Sequence, residues 1–198
     1  MRVAVMCLTY GEPAENRFGP QFEYSWSILN RLTRRVAPIP LFVTPLLAAR
    51  RGRERVVKFN ELRWNSPLED FSRRQVDALR AELQARRPDV QWDVHLVYEF
   101  RHPYLRSFLE KMKADPPDEI VMVPFYVADS DFTSGVSRTD LEQFDRKMQR
   151  KQGSNPLPAP RYLEGFGFDE RAGKMLADFI WRKVEEAGWT EEQTKESV

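Results

Sequence analysis

Apolar residues fall into four short, nearly continuous runs, and the stretches between them carry apolar side chains at helical spacing. The first run, residues 2–10, stops at Gly11 and Pro13. A run with so little polar interruption fits a strand buried on both faces, as in a parallel sheet. A helix is expected over 20–35, with Phe22, Trp26, Leu29 and Leu32 inward. Residues 36–65 then resist a single element, because Pro38, Pro40 and Pro45 interrupt the early part. An apolar lip at 36–47 leads there into the basic cluster Arg50, Arg51, Arg53 and Arg55.

Ser66, Pro67 and Glu69 read as a capping box opening a helix to about residue 86, with Phe71, Val76, Leu79 and Leu83 inward. Trp92, Val94, Leu96 and Tyr98 alternate as a second strand. Pro103 opens a helix carrying Leu105, Phe108, Leu109 and Met112, and residues 119–125 form a third strand. Ser137 is the expected cap of a helix with Leu141, Phe144 and Met148 on its core side. A fourth strand is expected over 161–166. Asp169 then caps a last helix whose core stripe is Met175, Leu176, Phe179, Ile180 and Val184, with Gly188 as its stop. The pattern predicts one α/β domain over residues 1–188, a four-stranded mainly parallel sheet with helices on both faces. Residues 189–198 form a polar tail.

Composition narrows the function classes. The 198 residues carry 31 Lys+Arg against 30 Asp+Glu, a net charge of +1, so no global field favours nucleic acid. Cys7 is the single cysteine, which leaves no intramolecular disulfide and no Cys/His zinc spacing. No run of 18 apolar residues and no secretory leader is visible, so a cytoplasmic protein without a membrane span is expected. Nucleotide-phosphate and nucleophile-elbow motifs are missing.

In open α/β sheets, ligands gather at the carboxyl ends of the strands. The loops expected there hold Tyr10, Phe100, Tyr126, Phe132 and Phe168, together with hydroxyls and nearby arginines. Such a mixture suits a large flat apolar ligand with carboxylate arms, since rings stack on rings and guanidinium forks hold carboxylates. Aromatics at strand ends also serve simply to cap the core.

Four segments, in order, resemble the amino-terminal half of ferrochelatases, enzymes that insert ferrous iron into a porphyrin. Residues 8–13 look like the family's turn after its first strand. Residues 45–51 leading to Ser66-Pro67-Leu68 resemble its Arg-Arg and Ser-Pro-Leu stretch. Phe100-Arg101-His102-Pro103 is similar to its Met-Arg-Tyr-Trp-His-Pro region, and residues 124–137 to its Ser/Thr/Gly-rich loop. The resemblance implies a three-layer chelatase-like domain, ferrous iron and porphyrin as substrates without a tightly bound cofactor, and a place in haem biosynthesis. It implies porphyrin contacts from Tyr10, Arg50, Arg51, Ser66, Phe100, Tyr126, Ser130, Thr133 and Ser134. The 36–47 lip would be apolar and able to touch a membrane surface peripherally.

There are also departures from the family. Arg63, Trp64 and Asn65 stand where the family has three glycines, Glu99 where it has arginine, and Asp129 where it has tyrosine. Its histidine-bearing strand end has no counterpart in these residues. His95, in mid-strand, and His102, before a helix, read as structural. Tyr10, Glu12 and Glu99 are left as catalytic candidates and Glu12 and Asp129 as metal candidates; the acids also fit as solvated loop residues. The resemblance therefore implies an iron-inserting enzyme or one half of its cleft, completed by a homodimer or a separate carboxyl-terminal half. The alternatives are a non-catalytic tetrapyrrole-binding or regulatory domain, or a truncated remnant.

Overall fold

The computed structural model describes residues 1–33, 40, 42–126, 133–163 and 169–188. Four strands, β1 (Arg2–Thr9), β2 (Gln91–Tyr98), β3 (Glu119–Pro124) and β4 (Arg161–Tyr162), form one sheet in the order β2-β1-β3-β4. Every pairing is parallel, with Cys7 opposite Leu96 on one side and Val123 on the other. β1 lies centrally, and Val3 through Leu8 are all at most 3% exposed. Continuous apolar character there matches burial on both faces. β4 is two residues long, shorter than the expected 161–166, and residues 164–168 lie outside the described set.

Six α-helices are described: α1 (Phe18–Ile28), α2 (Thr44–Glu61), α3 (Leu68–Arg86), α4 (Leu105–Met112), α5 (Gly135–Gln152) and α6 (Glu170–Glu186). One sheet face buries Ala4, Met6, Leu8, Ile120 and Met122 against Leu105 and Leu109 of α4 and Phe144 and Met148 of α5. The other buries Val3, Val5, Cys7 and Val94 against Val76 of α3, with Leu79 and Leu83 alongside. Burial lifts the Cys7 thiol pKa to about 12, so it behaves as a small core hydrophobe. The expected three layers are therefore present.

Several local expectations need correction. α2 is an 18-residue helix where no single element was expected. Pro45 sits in its first turn, where a missing N–H costs nothing. Its buried positions are Thr44, Ala48, Gly52 and Phe59, mostly small residues that a search for large apolar side chains passes over. α1 ends at Ile28 and continues as a π-helical turn, Leu29–Thr33. Gln21, Tyr24 and Ser25 are buried on it, while Phe22 and Trp26 are half-buried.

The capping box at α3 is not formed, because Glu69 pairs with Arg73 and Arg101 instead. Phe71 is 54% exposed rather than inward. α5 starts at Gly135, two residues before Ser137; Ser134 is its cap residue and the Ser137 hydroxyl donates to the Ser134 carbonyl at 2.8 Å. Asp169 does cap α6, accepting from the Arg171 N–H at 2.9 Å. That helix buries nothing, however, and Met175, Leu176, Phe179 and Ile180 are 50–65% exposed, so its stripe is not core in this chain. The 189–198 tail lies outside the described residues.

α1 and α2 pack with their backbones close together at Gly52. A Cβ there would stand 3.0 Å from the Phe22 nitrogen and 3.1 Å from its Cα. Gly52→Val is expected to force the helices apart and cost about 1–3 kcal/mol, read as a lowered midpoint in urea unfolding with the m-value retained.

Candidate functional site

The parallel register brings the carboxyl ends of β1, β2 and β3 to one edge of the sheet, and hydrogen bonding continues past them. The Glu99 N–H donates to the Thr9 carbonyl at 2.8 Å, the Phe100 N–H to Tyr10 at 3.2 Å, and the Phe125 N–H to Leu8 at 2.9 Å. That ladder stacks Tyr10 on Phe100, ring centroids 5.7 Å apart, with Tyr126 edge-on to Tyr10 at 4.9 Å. Tyr24 of α1 closes on Phe100 at 6.3 Å. Phe100 is fully buried and Tyr126 nearly so, while Tyr10 is half-buried on top. The result is an aromatic platform held at several ring edges.

Gly11 makes the turn beyond Tyr10. It has φ +77°, and a Cβ would fall 2.6 Å from the Tyr98 Cβ, so neither the dihedral nor the space admits another residue. Beyond it Glu12 is held by Arg55 and accepts from the Ser66 hydroxyl at 2.6 Å. Arg55 also reaches Gln21 at 2.8 Å and lies over the Phe59 ring at 4.8 Å.

Glu99 stands beside the platform, 3% exposed, and its Oε1 has no hydrogen-bond partner among the described residues. Arg31 of the π turn pairs with Asp140 of α5 and donates to the Glu99 backbone carbonyl at 2.6 Å rather than to its carboxylate. Burial raises the Glu99 pKa to about 8, helped by Asp140 and opposed by Arg31 and Ser137. Burial, with the Glu99 charge adding to it, also raises Tyr10 and Tyr126, whose hydroxyl is likewise without a partner among the described residues.

Away from the platform, Phe18, Leu46, Leu47 and Ala49 line a hollow of about 590 Å³ rimmed by Arg50, Arg53 and Glu54. Leu46 in its wall is 74% exposed, and Phe42 is 83% exposed. Among the described residues no cluster of three His, Cys, Asp or Glu side chains could hold a metal ion, and no helix is long and apolar enough to cross a membrane.

The ferrochelatase family model matches residues 2–197. This chain belongs to the ferrochelatase family. It is 26% identical over 179 residues to a ferrochelatase of Synechococcus elongatus, covering 89% of this chain and 45% of that protein. A ferrochelatase of Prochlorococcus marinus is 26% identical over 183 residues, 90% of this chain and 46% of its own length. The chain thus spans about half the length of the relatives it matches.

Of the residues singled out from the sequence, Tyr10, Phe100, Tyr126 and Glu99 come together at the strand ends. Ser134 is buried at the start of α5 and Thr133 is half-buried before it. Glu12 and Ser66 are joined to each other. Arg50 and Arg51 lie exposed on α2, Arg50 paired with Glu54 at 2.8 Å. Asp129, Ser130, Phe132 and Phe168, and all of the 36–47 lip but residues 40 and 42–47, lie outside the described residues. His95 packs on Phe108 at 5.0 Å and burial lowers its pKa, while His102 is exposed against Tyr104. Tyr24 and Arg31 carried no local signal, and Arg55 and Asp140 stood out only as a member of the basic cluster and as a residue following the Ser137 cap, since each is recruited by a distant partner.

Glu99 yields a stability prediction with a definite sign. Its folded pKa lies above its ordinary value of 4.5, so the folded state holds the extra proton between about pH 4.5 and 8. Stability therefore falls as pH rises through that window. Glu99→Gln, which mimics the neutral acid, is expected to flatten this slope and raise stability at pH 8 by at least about 1 kcal/mol, roughly 2–4 °C in Tm, measured by thermal melts from pH 5 to 9.

Proposed function

We propose that this chain supplies one wall of a tetrapyrrole-binding cleft and serves ferrochelatase-type insertion of ferrous iron into a porphyrin, a step of haem biosynthesis, in the cytoplasm. The observation that carries the reading is the platform of Tyr10, Phe100 and Tyr126 at the carboxyl ends of three parallel strands, in a chain of the ferrochelatase family. A macrocycle is a broad π surface, and a half-buried tyrosine backed by two buried rings presents a rigid face to it.

In this reading Tyr10 meets the macrocycle, with Phe100 and Tyr126 holding it in place. Thr133 and Ser134 line the cleft, with Ser130 as a further porphyrin contact and Asp129 as a metal candidate. Arg50 and Arg51 reach the propionates from α2, next to the apolar hollow, and each guanidinium offers a planar fork to a carboxylate. Ser66 acts by fixing Glu12, whose charge Arg55 matches. Residues 1–188 act as a single domain. The 36–47 lip, with Phe42 and Leu46 exposed, gives peripheral contact with a membrane surface.

The opposite wall comes from outside these residues, from another copy of this chain or from a carboxyl-terminal half. The exposed stripe of α6 supports this, because an amphipathic helix gains most of its stability by covering its apolar face.

Titrating a dicarboxylate porphyrin into the chain should shift its absorbance with saturation. Arg50→Ala/Arg51→Ala should weaken binding by about tenfold or more, or ~1.4 kcal/mol. Unchanged affinity would remove the arginine clamp, and no binding by the wild-type chain would contradict the reading itself. Binding without any metal insertion would favour a non-catalytic tetrapyrrole-binding domain. Size-exclusion chromatography with light scattering examines the second wall. Leu176→Glu/Ile180→Glu should abolish association with the opposite wall while leaving the sheet domain folded.

A further inference from the structure

Inserting a metal ion into a porphyrin releases two pyrrole protons, and a group near the macrocycle has to take them. We propose that Glu99 accepts one of these protons, handed on from the macrocycle through the phenol hydroxyl of Tyr10. The proposal rests on the tetrapyrrole reading above and adds a base that neither histidine supplies, since His95 lies against Phe108 in mid-strand and His102 is exposed beside Tyr104.

The geometry carries it. Glu99 is 3% exposed, yet its Oε1 has no hydrogen-bond partner among the described residues and Arg31 is spent on its backbone carbonyl and on Asp140. A buried carboxyl left in this state costs stability, whereas a structural carboxyl is ordinarily saturated with donors. The Tyr126 hydroxyl is buried without a partner too, and Tyr126 packs edge-on against the half-buried Tyr10. The groups that face Glu99 are Arg31 from the π turn, Ser137 and Asp140 from α5, Tyr10 beyond β1, Tyr126 beyond β3 and Tyr162 on β4. Its pKa of about 8 puts its proton exchange near neutral pH, where a general base works best.

In the step itself the pyrrole N–H bond breaks and its electron pair stays on nitrogen, available to the divalent metal ion. The proton joins the Tyr10 phenol oxygen while that phenol's own proton moves to a Glu99 oxygen. The carboxylate becomes a neutral acid and later loses the proton to solvent. Nothing is oxidised or reduced, and the second pyrrole proton is not assigned to Glu99.

The test compares wild-type chain, Glu99→Gln and Glu99→Asp for porphyrin affinity, thermal stability and the rate of zinc insertion from pH 6 to 9. Zinc replaces iron because it needs no reductant and its porphyrin product is fluorescent. The wild-type rate should rise with pH up to about 8. Glu99→Gln should lose that rise and fall at least tenfold at pH 8.5, with affinity within about twofold and stability retained or increased. Glu99→Asp should keep the rise at a lower rate. A purely structural Glu99 would give the opposite pattern, lower stability with an unchanged pH profile, and that would overturn the proposal. Porphyrin binding by the wild-type chain with no zinc insertion would overturn it while leaving the cleft reading intact. No porphyrin binding would overturn both.

Discussion

The constraint on which the rest depends is the placement of β1 between β2 and β3 with all three parallel. Parallel pairing in one register delivers three chain segments to a single edge, and the ladder runs a residue or two beyond the strands. Tyr10 and Phe100 stack because they leave neighbouring strands at the same level, and Tyr126 meets Tyr10 because β3 lies on the other side of β1. A crossover helix must return the chain before each new parallel strand. The helices that do so also fill both faces of the sheet and carry Arg31 and Asp140 to the rim.

Two carboxylates near this edge are treated differently by their surroundings. Glu12 is matched by Arg55 and the Ser66 hydroxyl, an arrangement that fixes the turn after Gly11. Glu99 is enclosed without comparable donors to its Oε1, and burial favours its neutral form. Neutral buried acids are costly to ionise and are often found where a protein uses the proton. The stability cost and the proposed chemistry of Glu99 thus have the same origin.

Much of the fold was legible because burial on two faces leaves a plain mark, runs such as Val3–Leu8 and Ile120–Val123 with almost no polar residue. The helix α2 was not legible, since Ala48 and Gly52 pack by being small and leave no apolar stripe. The helix α6 was legible, but its apolar stripe was read as core and lies exposed, because an amphipathic pattern marks a face without showing what covers it. At the site, Tyr10, Phe100, Tyr126 and Glu99 could be placed from their positions at strand ends. Arg31 and Asp140 could not, because they are 109 residues apart in sequence and meet only through the fold. Glu69 shows the opposite error, where a local capping motif lost to the stronger pull of Arg73 and Arg101.

The central claim is that the ring platform at the strand ends forms a tetrapyrrole surface. Its most direct test is nuclear magnetic resonance of the chain labelled at tyrosine ring carbons, recorded while a porphyrin is added. The macrocycle's ring current should move the Tyr10 resonance strongly and those of Tyr126 and Tyr24 less, leaving Tyr162 and Tyr104 nearly still. Saturable porphyrin binding that leaves Tyr10 unmoved would contradict the account.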